Sequence, residues 1–111
     1  MEIAEQKSGD VTIVEIKGRI DSNTAKVLDE RLANLIKGGR ARLMIDCKNI
    51  IYISSAGFRA LLVAGRLVEE TKGTLALCGL PSEIQRLFDL GAFTDLFLIY
   101  SSREEGLSKL S

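Results

Sequence analysis

Two short, unbroken apolar runs, Leu43-Met44-Ile45 and Leu75-Ala76-Leu77-Cys78, constrain the fold of this chain more than any other feature. Continuous apolar residues over so few positions fit strands covered on both faces, the usual state of strands in parallel sheets. The residues between the two runs have helical spacing. Phe58, Leu61, Leu62, Gly65 and Val68 form one stripe, with Arg59, Arg66, Glu69 and Glu70 off it. Strand, helix and parallel strand join through a right-handed crossover. The chain is therefore expected to be an α/β protein.

The flanking segments extend the same alternation. Residues 2–7 and 11–17 read as two strands around the polar turn Ser8-Gly9-Asp10, a hairpin that adds an antiparallel edge. Gly18 to Asn23 leads into a helix, with Asp21, Ser22 and Asn23 all good N-cap types. Its stripe is Leu28, Leu32, Leu35 and Ile36, and Gly38-Gly39 ends it. The basic turn from Lys37 to Arg42 reads as a solvated loop at the far end of the sheet. Pro81 suits the first turn of a third helix carrying Ile84, Leu87 and Phe88, with Gly91 beyond its end. Leu96 to Tyr100 reads as a final strand, and Ser102-Arg103-Glu104-Glu105 as a capping box opening a terminal helix. The expected order is ββαβαβαβα: a mixed, mostly parallel sheet of four to five strands with about four helices, as one domain over residues 1–111.

Composition excludes several function classes. Fifteen basic and fifteen acidic side chains cancel, which gives no support for a nucleic-acid or membrane-surface binder. No run approaches the ~20 apolar residues of a membrane span. The segment Met1 to Gln6 is acidic and polar, so no signal peptide is expected and the chain reads as cytoplasmic. Cys47 and Cys78 are then expected as reduced thiols near the core. The chain has no histidine, which removes Ser-His-Asp and Cys-His catalysis and every histidine metal site. No carboxylate cluster or Cys-x-x-Cys pair replaces them. Neither catalytic residues, nor a metal, nor a cofactor are expected.

Chemistry concentrates in Tyr52-Ile53-Ser54-Ser55-Ala56-Gly57-Phe58, where a strand runs into a helix. Backbone N–H groups and the helix dipole favour an anion there. In open α/β sheets, sites gather beyond the carboxyl ends of the parallel strands, where the loops Asp21–Thr24 and Cys47–Gly57 are expected. Serine at such a position is an N-cap worth about 1 kcal/mol, a nucleophile, or the acceptor of a phosphate. The nucleophile reading lacks a Gly-x-Ser-x-Gly elbow, a histidine base and any nearby Ser-x-x-Lys. A Gly-x-x-x-x-Gly-Lys-Ser/Thr phosphate loop is absent as well. The other two readings are compatible, since Ser55 can cap the helix and still receive a phosphate. That group would bring nearly two negative charges to a partly positive helix end, with Arg59 one turn on.

The segment from Asp46 to Leu62 resembles the signature of the STAS domain, specifically the stand-alone bacterial anti-sigma factor antagonists. Gly18-Arg19-Ile20-Asp21 is similar to the family's Gly-x-Leu/Ile-Asp motif, and Leu87-Phe88-Asp89-Leu90-Gly91 followed by Phe93 resembles its third-helix region. The resemblance implies a non-enzymatic module that binds a serine-kinase anti-sigma factor and so frees a sigma factor. The kinase would phosphorylate Ser55, with Ser54 as the alternative acceptor, and a PP2C-type phosphatase would reverse it. The implied partner surface comprises Asp21, Ser22, Asn23, Ser54, Ala56, Gly57, Phe58 and Arg59. Gly57 would let the partner backbone come close. The family also implies an alternative: a fixed scaffold subunit of a signalling complex or of a lipid or anion transport system.

Overall fold

Strand pairing places both apolar runs in the interior of one sheet. The computed structural model describes residues 1–92 and 94–110. Within them the elements are β1 (Glu2–Ser8), β2 (Val11–Ile20), α1 (Ser22–Lys37), β3 (Arg42–Ile53), α2 (Ser55–Glu70), β4 (Thr74–Cys78), α3 (Ser82–Leu90), a 3-10 turn (Thr94–Leu96), β5 (Leu98–Tyr100) and α4 (Arg103–Leu110). The sheet order is β1-β2-β3-β4-β5. Among the described residues only the β1–β2 hairpin is antiparallel. The expected class and element order hold.

Several boundaries differ from the sequence reading. Strand β3 continues to Ile53, so Cys47–Ile53 is strand rather than loop, and β2 runs on to Ile20 beside it. The register shows how this stretch stays paired. Glu15 faces Asp46 but Lys17 faces Asn49, and Gly18 faces Ile50 but Arg19 faces Tyr52. Each step gives β3 an extra residue, a bulge that bends the strand. Gly18 takes a φ of +106°, which glycine adopts without steric cost. The final strand is shorter than expected, because Thr94–Leu96 coils into the 3-10 turn. Pro81 stands just before α3, as the residue preceding its first turn. Phe93 lies outside the described residues.

Side chains alternate across the sheet and build two separate cores. One face carries Val14, Ile16, Leu43, Ile45 and Leu77 against α1, α2 and α3, with Leu28, Leu32, Leu61 and Phe88 fully buried. The other face carries Val11, Ile13, Met44, Ala76 and Cys78 under Leu107 and Leu110 of α4. Both thiols are free and buried, Cys47 in the first core and Cys78 in the second. Burial raises both above the usual thiol range, Cys78 to about 11.

Glu15 and Asp46 are register partners on the α4 face, and two carboxylates so placed repel. Arg103, the first residue of α4, answers both. Its Nε and Nη2 donate to Asp46 Oδ2 at 3.0 and 2.8 Å, and Nη2 also donates to Glu15 Oε2 at 2.8 Å. Asp46 is 1% exposed, so this pairing is what makes its burial tolerable. The capping box at α4 closes differently from expectation. Ser102 Oγ accepts from Glu105 N, but the Glu105 carboxylate accepts from Ser101 N instead of Ser102 N. No helix among the described residues is long and apolar enough to cross a membrane.

Candidate functional site

The ends of β2 and β3 bring two helix N-termini side by side. Ile20 faces Ile53 as the last pair of the ladder, and Ser54 N donates to Ile20 O at 2.8 Å. Helix α1 starts one residue beyond Ile20, after its cap Asp21, and α2 starts immediately after Ser54, so the expected residues Asp21–Asn23 and Ser54–Arg59 are neighbours.

Asp21 caps α1 through a full capping box. Its Oδ1 accepts from Asn23 N at 3.0 Å and Thr24 N at 2.9 Å, while Asp21 N donates to Thr24 Oγ1 at 2.8 Å. The N–H of Thr24, then its hydroxyl, hold the Asp21 carboxyl below the usual carboxylate range. A depressed folded-state pKa contributes stability that is complete above the unfolded value and lost as pH falls through the folded one. Asp21→Asn keeps a cap-forming side chain but removes the charge. Its thermal midpoint should therefore fall below wild type at neutral pH, and the two should converge below about pH 4, as a pH series of melting curves would record. Ser22 and Asn23 follow as exposed first-turn residues.

The cap of α2 is Ser54, not Ser55. Ser54 has extended backbone, and its Oγ accepts from Gly57 N at 3.2 Å. Ser55 is the first helical residue, exposed, and its hydroxyl has no hydrogen bond within the described residues. The N–H groups of Ser55 and Ala56 have no acceptor inside the helix, as at every helix start. Arg59 is exposed one turn on. One serine is thus engaged and its neighbour is free.

Two residues of the expected partner surface turn inward. A Cβ on Gly57 would come within 2.7 Å of Ile53 Cγ1 and 2.8 Å of Ile20 Cγ2. Glycine at 57 therefore lets the first turn of α2 settle on the strand ends, and its close approach is to its own core. Phe58 is 8% exposed, with its ring edge-on to Phe88 at 4.8 Å.

The sequence reading missed what lies between the helices. A groove of about 330 Å³ runs from the two N-termini along α1 and α2, with Ala56, Ala60 and Val63 on one side and Ser22, Lys26 and Asp29 on the other. Its α1 residues recur at helical spacing from the cap, a signal present in the sequence. Also unforeseen are Ile51, 69% exposed at the second bulge, and Tyr52, whose ring lies 4.3 Å beneath the Arg19 guanidinium. A larger cavity of about 510 Å³ lies against the C-terminal half of α2, away from both serines.

The family model of the STAS domain matches residues 2–106. The chain is 30% identical over 104 residues to BtrV of Bordetella bronchiseptica, named a candidate anti-sigma factor antagonist, covering 94% of this chain and 90% of that one. It is 34% identical over 94 residues to the anti-sigma-B factor antagonist of Bacillus subtilis, covering 85% of each. In fold it is similar to the Bacillus cell fate determinant SpoIIAA in the phosphorylated form, with a TM-score of 0.76 at 12% identity over 99% of this chain and 100% of that one. With a match that spans nearly all of its length, the chain belongs to the STAS domain family.

Proposed function

We propose that the protein is an anti-sigma factor antagonist, switched by phosphorylation of Ser55. Unphosphorylated, it binds a serine-kinase anti-sigma factor and frees the sigma factor held there. The kinase then transfers phosphate to Ser55 and ends the partnership, and a PP2C-type phosphatase restores it. The observation that carries this reading is the division of labour at the start of α2. Ser54 is committed to the cap, while Ser55 presents an unbonded hydroxyl to solvent. Relatives named as antagonists support the partner class, and the fold likeness to SpoIIAA in unphosphorylated and phosphorylated forms is compatible with the switch.

Physically, the phosphate brings nearly two charges and three acceptor oxygens to a helix end that tolerates them. The fold therefore survives, and the cost falls on a partner surface built to cover the neutral N-terminus. The test combines ATP and a candidate kinase with mass spectrometry, followed by affinity measurements on variants. Phosphate should appear on Ser55. Ser55→Ala should keep wild-type affinity, and Ser55→Glu should weaken it by about tenfold or more, the equivalent of 1.4 kcal/mol. Phosphate on Ser54 would overturn the site, and equal affinity for wild type, Ser55→Ala and Ser55→Glu would favour a fixed scaffold role.

A further inference from the structure

The second core is small and stands apart from the first. Helix α4 has eight residues, too few to be stable in isolation. Of these, Gly106 and Leu110 are buried and Leu107 is half-buried, whereas α2 buries six residues, five of them in the main core. No residue of α4 belongs to that main cluster. Apart from the contacts of Gly106, Leu107 and Leu110 with that small core, what holds α4 down is polar and sits at its two ends. Arg103 grips Asp46 and Glu15 at the start, and Arg42 Nη1 donates to Leu110 O at 3.0 Å at the finish. All these groups regain water when the helix lifts, and the strands beneath stay paired with each other.

We propose that α4 is a hinged cover, which lifts from the sheet while the other elements stay folded, and that Cys78 is the group it uncovers. Local opening of this kind selects elements with few apolar contacts. The molecule carries its own control, because Cys47 lies in the main core on the opposite face of the sheet. Closed, the cover leaves Cys78 with no exposed surface. The cover operates on the face away from α1 and α2, so it is independent of the Ser55 reading.

The experiment is iodoacetamide labelling of the native protein, followed peptide by peptide by mass spectrometry. Cys78 should label at least about tenfold faster than Cys47, because it needs only the local opening. Arg103→Met removes the charge-assisted hydrogen bonds of the clamp and should speed Cys78 about tenfold or more, with Cys78 still labelling well ahead of Cys47. Leu107→Ala thins the apolar contact without stranding a charge, and should act in the same direction. It decides the matter alone if Arg103→Met fails to fold. Equal labelling of the two cysteines in every protein that folds would mean that α4 leaves only with global unfolding, and would overturn the proposal. So would an unchanged Cys78 rate in the variants that fold.

Discussion

Gly57→Val is expected to destabilise the free protein by about 3 kcal/mol or more, the upper end of what overpacking a filled core costs. The reason is local. The Cβ alone would stand 2.7 Å from Ile53 Cγ1 and 2.8 Å from Ile20 Cγ2, and both isoleucines are buried. Valine adds two more methyl groups to a place where neither neighbour has free space to retreat. Gly57→Ala supplies a sign test. In a helix, alanine gains about 1 kcal/mol over glycine, so an outward-facing position 57 would make the alanine variant more stable. Inward packing predicts the opposite sign, a lower urea midpoint despite the gain in propensity. Urea unfolding of both variants without any partner measures this directly. A stabilised Gly57→Ala would return the glycine to the partner-facing role that the family resemblance implied.

The order of elements was legible because the helical and strand periods are both written plainly. Leu28, Leu32 and Ile36 mark α1 by their recurrence every four residues, and Leu43-Met44-Ile45 marks a strand covered on both faces. The length of β3 was not legible. Lys48 and Asn49 break the apolar run, and the strand continues through them only because β2 lies alongside and two bulges absorb the mismatch. Pairing of that kind is non-local, and no window of sequence contains it. The same holds for Arg103 and Asp46, which are separated by 57 positions and meet only once α4 has crossed the sheet. Read locally, Arg103 was one letter of a capping box.

The candidate site was legible as a place, though not in its internal roles. Two serines before an amphipathic stripe announce a helix start, but which one caps depends on where β3 ends. That end is fixed by the bond from Ser54 N to Ile20 O, which belongs to another strand. Once Ser54 is tied there, its Oγ reaches Gly57 N and Ser55 is left over. The assignment of cap and free hydroxyl thus follows from tertiary structure. The groove between α1 and α2 is likewise a product of helix packing, and only its α1 residues, spaced from the Asp21 cap, carried a local sign.

Phe58 received two incompatible readings, core from its place in the stripe and partner surface from the resemblance. Its geometry makes the two separable by experiment. The ring is edge-on to Phe88 at 4.8 Å, and Phe88 stands 5.6 Å from Phe97, so three aromatics tie the first turn of α2 to α3 and the segment before β5. Phe58→Ala should cost about 3–5 kcal/mol, since the removed ring leaves a cavity that Phe88 fills only in part. Phe58→Leu keeps most of the volume and should cost less than about 1.5 kcal/mol. The leucine variant is the informative one. If Phe58 acts through the core, it holds Ser54 and Ser55 in position without touching a partner, and Phe58→Leu should bind the anti-sigma factor within about threefold of wild type, under 1 kcal/mol. A loss of tenfold or more in Phe58→Leu, with its urea midpoint preserved, would mean that the ring itself is read by the partner and turns outward in the complex.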